Sequence, residues 1–223
     1  MSVITISRDF GSEGEYIAEK VAQVLGYHFV DKDFFGMVLK EYGLVEFDGE
    51  YDALPGFWDK TVNEHRFERR DEVVHMLNRA IRAVAQHGNV VILGRSGFEV
   101  LASFADVLHV RLQAPIPVRV ERVMKEMKIS HEEAEDFVKE NDKVHVVFTQ
   151  EYYKMPWDAI HAFDMVINTN KISPDLAVTW LVDAVKGIGG AQKLGKPALS
   201  SLQIDPILKK SVTDALKSTK AHK

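Results

Sequence analysis
ISRDFGSEGEYIAEK, residues 6–20, is the stretch on which the fold of this chain turns. A β-branched run from Val3 to Ser7 leads into it and reads as a strand. The turn that follows holds Gly11 and Gly14, and Ile17, Ala18, Val21, Ala22 and Leu25 then recur at helical spacing. Gly26 stands where a glycine ends a helix. Strand, glycine turn and helix in immediate succession suit an anion, because the first turn of a helix presents unpaired N–H groups and the positive end of its dipole. The lysine of the G-x-x-x-x-G-K-[ST] pattern is missing: with Ile4-Thr5-Ile6 as anchor, Gly14 takes its place and Tyr16 falls near the Ser/Thr. Taken by itself, the segment reads equally as an anion cradle and as a plain connecting turn.

Working outward, the same alternation continues. YHFVD reads as a second strand, DKDFFGMVLKEYG as a helix, and GEYDALPGFWD as an irregular connection. A long helix is expected from about Arg69 to Gln86, with Val73, Met76, Leu77, Ala80, Ile81 and Val84 on one face. NVVILG is an apolar strand, GFEVLASF a short helix and DVLHVRL a further strand. Pro115 to Met127 is helical. Ser130 and Glu133 have capping-box spacing and open a helix expected to run to about Asn141, followed by the polar-aromatic DKVHVVFTQEYYKMPWD. FDMVINT closes the strand set, and Ser173-Pro174 starts a helix ending near Lys186-Gly187. Apolar strands between helices predict an α/β fold, a three-layer α/β/α sandwich around a mainly parallel sheet. Residues 1–186 form the expected domain. Residues 187–223 read as a linker and a basic tail, with LQIDPILKKSVTDALKS a short amphipathic helix or a docking peptide, whose removal is expected to leave the melting temperature nearly unchanged.

Composition bounds the function. Hydrophobic residues at 46% and charged residues at 27% are ordinary for a globular protein. The chain has no cysteine, which excludes disulfides, thiol nucleophiles and thiolate metal sites. No apolar run reaches membrane-spanning length and no leader pattern is visible, so the expected location is cytoplasmic. Net charge is −5; from Gly187 onward seven lysines and two aspartates give +5, which leaves −10 before it. A body that acidic is no nucleic-acid surface. The tail is the segment suited to a homodimer contact or to partner docking.

The order ITIS, turn, helix, FVDKDFF, VVILGR, LHVRLQAPIPVRVERV, ENDK, DMVINT resembles the cytidylate kinase-like family of P-loop nucleoside monophosphate kinases over residues 1–186. The resemblance implies phosphoryl transfer from ATP with Mg²⁺ to a small-molecule nucleotide, a cytidylate being the first acceptor to consider. It places Gly11, Ser12, Glu13 and Gly14 in the phosphate loop, Asp31 and Arg95 at the acceptor, and Arg119 and Arg122 at the transferred group. Asp142 and Lys143 match an acid-base pair in a lid spanning about 116–158, where a third basic position is His145. Ser7 or Ser12 would supply a hydroxyl to the metal, and Arg111 is a ligand for the base or a strand residue facing a helix. The family pattern has small or basic residues at Glu13 and Glu15; Arg8 is then the substitute cation.

Each role has a plainer counterpart. Asp31 reads equally as an N-cap for DFFGMVL, and Arg119 and Arg122 as a solvated helix face. His65, His75 and His87 read as helix-face residues, Trp58 and Trp157 as packing or lid aromatics. A missing lysine favours a second class of function, a nucleotide-binding regulatory module without turnover. A dinucleotide-binding oxidoreductase is disfavoured, because G-x-G-x-x-G does not follow the first strand.

Overall fold
Val3–Arg8 (β1) is the middle strand of a five-stranded parallel sheet, ordered β2-β3-β1-β4-β5 among the described residues. The structure, a computed structural model, describes residues 2–41, 64–156, 159–188 and 195–220, with backbone only for 64–70 and 220. The connection at 49–59, Trp58, Trp157 and the side chain of His65 lie outside them. β2 is His28–Val30, β3 Val90–Leu93, β4 Val107–Gln113 and β5 Met165–Asn168. β1 pairs with β3 from Val3 opposite Val90, and with β4 from Val3 opposite Val107.

Because strand side chains alternate between faces, neighbouring residues enter different layers. Ile4, Ile6, Val91, Leu93, Val110 and Leu112 meet α1 (Gly14–Leu25) and the helix Pro174–Ile188. Val3, Val90, Ile92 and Val107 meet α2 (Lys32–Glu41) and α3 (Glu64–His87) on the other side. Short α4 (Gly97–Val100) follows β3. Beyond β4 come α5 (Ile116–Met127) and α6 (His131–Tyr153), joined around Val120, Val123, Ala134 and Val138 with Phe10 against them. Pro174–Ile188 is α7, and Pro206–Lys220 is α8.

The local signals place these elements well. Gly26 ends α1 with φ 66, the Ser130–Glu133 capping box is formed in both directions, and Ser173 Oγ accepts from the N–H of Leu176. Two expectations are corrected. α6 does not stop near Asn141: it runs to Tyr153, because Val144, Val147, Phe148 and Tyr152 keep helical spacing and pack on the α2–α3 core, with Tyr153 Oη bonded to Asn78 at 2.7 Å. Nor does packing show a boundary at residue 186. Leu199, Leu208, Val212, Ala215 and Leu216 are buried in that same core, so α8 is a core helix rather than a loose tail.

Candidate active site
The ends of β1 and β3, the start of α2 and one face of α6 enclose a cleft of about 310 Å³. It opens at the carboxyl ends of the strands, beside the middle strand where successive connections diverge, the usual ligand position in open parallel sheets. Ser7, Arg8, Glu15, Asp31, Arg95 and His145 are on its wall, with Phe98 and Phe148 as apolar cover.

The glycine turn is shaped as a loop around α1's first turn. Gly11 has φ 77, and a Cβ there would lie 3.0 Å from the Arg119 carbonyl and 3.1 Å from Val123 Cγ2, so α5 leaves room for glycine only. Glu13, at φ 64, occupies the N-cap position of α1 without a side-chain cap. Its carboxylate lies 3.5 Å from Arg122 Nε, so its charge is already countered. Ser12 is corrected as a metal ligand: it is fully buried, and its hydroxyl donates to the Asp9 carbonyl at 2.8 Å, turned into the loop rather than outward. Ser7 does reach the cleft wall.

The arginines expected to work as a set divide. Arg119 is 4% exposed and committed to the scaffold. Its Nε donates to Ala114 O at 2.9 Å, Nη1 to Phe10 O at 3.1 Å, and Nη1 and Nη2 to the two Asp142 oxygens at 3.0 and 2.8 Å. Arg119 and Asp142 are thus a clamp fastening α6 to the loop, where Arg119 was expected at the transferred group and Asp142 in the acid-base pair with Lys143. Arg122 Nη1 donates to Gly11 O and Thr169 Oγ1, and Nη2 to Thr169 O, so it braces the loop from outside. Arg111 donates to Asp9 at 2.7 Å beneath the loop and is not on the cleft wall. Burial holds the Asp9 carboxyl above its ordinary value, with Arg111 and Arg119 opposing that rise. Lys143 is exposed. The residues of α6 facing the cleft are Asn141, Val144, His145, Phe148 and Thr149, and Lys143, two residues from either Asn141 or His145, falls on the other side of the helix.

Asp31 is the N-cap expected of it, Oδ1 accepting from the N–H of Phe34 at 3.0 Å, and the residue also lines the cleft. Arg95 follows Gly94 at the end of β3 with φ 56, between Gly94 at 75 and Ser96 at 51. Of these three successive left-handed residues, the two that are not glycine store strain of order 1–3 kcal/mol each, which the fold accepts where it aims a side chain. His145 is held neutral: burial first, then the positive charges of Arg8, Arg95 and Arg111, lower it to about 3. Spacing names only part of this wall. Val144, Phe148 and Thr149 escaped because the helix was ended at Asn141, although positions 141, 144, 145, 148 and 149 form one helical face and no proline intervenes before Pro156.

The wall therefore presents cations near the glycine turn, carboxylates at α2 and an apolar face of α6. A hard divalent cation carried on phosphate oxygens would find Ser7 and Asp31 as oxygen donors on this wall. Among the described residues no cluster of three metal-ligating side chains is present, and no helix is long and apolar enough to cross a membrane.

Residues 3–171 match the cytidylate kinase-like family. The cytidylate kinase of Ignicoccus hospitalis is 29% identical over 179 residues, covering 80% of this chain and 95% of that protein. That of Pyrococcus horikoshii is 33% identical over 177 residues, covering 78% and 82%. Among solved structures, an uncharacterized protein from Eubacterium ventriosum superposes with a TM-score of 0.60 at 21% identity, covering 83% of this chain and 99% of its own. A sugar kinase from Janibacter gives 0.50 at 16% identity, covering 85% and 96%. At such identities the structural likeness concerns the fold.

Proposed function
The chain belongs to the cytidylate kinase-like family, and on that premise we propose that it transfers the terminal phosphoryl group of ATP to a nucleoside monophosphate, with cytidylate the first acceptor to test. The observation that supports this reading is the cleft in which Arg8, Phe10 and Glu15, which flank the glycine turn, meet Arg95 and Asp31, while Gly11 to Gly14 themselves are not on its wall. Phosphoryl transfer asks for positioning and neutralisation rather than covalent work. An oxygen of the acceptor phosphate attacks the γ-phosphorus in line, the bond to the β,γ-bridging oxygen breaks, and ADP leaves with the electron pair.

In this chain the N–H groups at the start of α1 and the loop backbone hold donor phosphates. Arg95 holds the acceptor phosphate, Asp31 its sugar or base, and Phe98 and Phe148 exclude water. Bound Mg²⁺ would neutralise the donor phosphate charge. Arg119, Asp142 and Arg122 keep the loop in shape and touch no reacting atom. Magnesium-dependent ADP formation across CMP, dCMP, UMP, AMP and GMP tests the reading; turnover with one or two of them is expected, and ATP hydrolysis indifferent to every acceptor would remove it. The inward Ser12 hydroxyl and the tied-down Arg119 and Arg122 favour a second reading, a nucleotide-binding regulatory module. ATP affinity without turnover in the same panel would select it.

A further inference from the structure
Arg8 leaves the end of β1 through spaces that two glycines, eighty residues apart in sequence, leave open. A Cβ on Gly14 would lie 2.6 Å from Arg8 Cγ and 2.8 Å from Arg8 Cβ, and a Cβ on Gly94 would lie 2.5 Å from Arg8 Nη1. Real Cβ atoms do not approach so closely. The side chain thus starts against the first residue of α1 and ends on the turn after β3, crossing the cleft from the loop to the neighbourhood of Arg95.

The two contacts differ in kind. At Gly94 the obstacle is the mobile head of the side chain, and φ 75 calls for glycine in any case. At Gly14 the obstacles are Arg8 Cγ, which moves only with a new rotamer, and Arg8 Cβ, which no rotamer moves, while the backbone there is not left-handed. All three nearest atoms to a Gly14 Cβ belong to Arg8, so the demand for glycine at the head of α1 comes from this arginine.

We propose that Arg8 is the cation spanning donor and acceptor phosphates, a catalytic residue threaded through Gly14 and Gly94 so that the three act as one unit. This rests on the kinase reading above. A guanidinium offers a rigid fork of donors that can serve two phosphate groups at once, where an ammonium is a point charge. Its route along the cleft places that fork between the loop and Arg95, where the moving phosphoryl group passes.

The test is a set of variants, Arg8→Ala, Arg8→Lys, Arg8→Gly, Gly14→Ala and the Arg8→Gly/Gly14→Ala pair, read by kcat, both KM values, ATP calorimetry and melting temperature; glycine at position 8 is needed in the pair because alanine would keep the Cβ that meets position 14. Arg8→Ala is expected to lower kcat by roughly 10²–10³, and Arg8→Lys to recover only part of it. Gly14→Ala should reproduce most of that loss in the wild type, yet change kcat by less than about threefold in the Arg8→Gly background, a strong non-additivity. It should lower the melting temperature in the wild type and not in the Arg8→Gly background. Additive losses, or equal melting shifts in both backgrounds, overturn the threading. A kcat for Arg8→Ala within about threefold of an active wild type overturns the bridging role. A wild type that binds no nucleotide sinks the kinase reading and the bridging role with it, and the melting cycle still decides the threading.

Discussion
Arg119→Ala separates a structural clamp from a catalytic arginine. Its guanidinium makes four hydrogen bonds, two of them to the main-chain carbonyls of Ala114 and Phe10 and two to Asp142. Truncation leaves both carbonyls and a carboxylate without their donor. Each buried acceptor so abandoned costs about 1–3 kcal/mol, and breaking a buried ion pair costs about 3–5 kcal/mol. Asp142 is 26% exposed and partly rescued by water, so the lower ends apply, about 5 kcal/mol in all. For a chain of this length that is a fall of roughly 10–20 °C in melting temperature. Differential scanning calorimetry measures it, with ATP titration alongside: the loop shifts with Phe10, so ATP should weaken in step with stability, and Arg119→Lys should recover little because an ammonium cannot reproduce the fork. A variant that melts within about 2 °C of wild type while losing kcat by roughly 10²-fold would refute the clamp and restore the catalytic role.

Four further outcomes are expected. Leu216→Ala should destabilise by about 2–5 kcal/mol, since Leu216 is 1% exposed, and ending the chain at residue 188 should abolish the cooperative melt; an unchanged transition would show that α8 does not pack. Arg95→Ala should raise the acceptor KM by about 10- to 100-fold, the worth of one charge-assisted hydrogen bond, with ATP nearly unaffected; equal losses on both ligands would contradict its placement. His145, at about 3 against an ordinary 6.5, refuses a proton that the unfolded chain accepts, so stability is fully present above pH 6.5 and falls as pH drops toward 3, by at most about 1.4 kcal/mol per pH unit. His145→Gln should flatten that slope in urea titrations at pH 7 and pH 5, and parallel curves would count against it. Glu15→Gln should tighten ATP by about three- to tenfold, whereas Glu13→Gln does less because Arg122 already faces that carboxylate; calorimetry indifferent to both would mean that no phosphate docks on the loop.

What the sequence determined by itself is whatever depends on neighbours a few residues away. The Val3–Ser7 strand, the turn at Gly11 and Gly14, the αL stop at Gly26, the capping box at Ser130 and the apolar strands at Val90–Leu93 and Val107–Gln113 were all legible, because backbone conformation there follows from side-chain size, φ freedom and periodicity over a turn or a strand. Direction in space is another matter. Arg8, Arg95, Arg111, Arg119 and Arg122 are chemically alike, yet Arg8 and Arg95 reach the cleft, while Arg111 is drawn to Asp9, Arg119 to Asp142 and Arg122 to Thr169. Those partners lie 102, 23 and 47 residues away. The burial of α8 and the continuation of α6 to Tyr153 were decided in the same way, by the apolar surface of α2 and α3 that meets them. A guanidinium under 10% exposed goes wherever acceptors replace its lost water, and an amphipathic helix wherever a complementary face covers it. Only the assembled chain brings those acceptors and faces within reach.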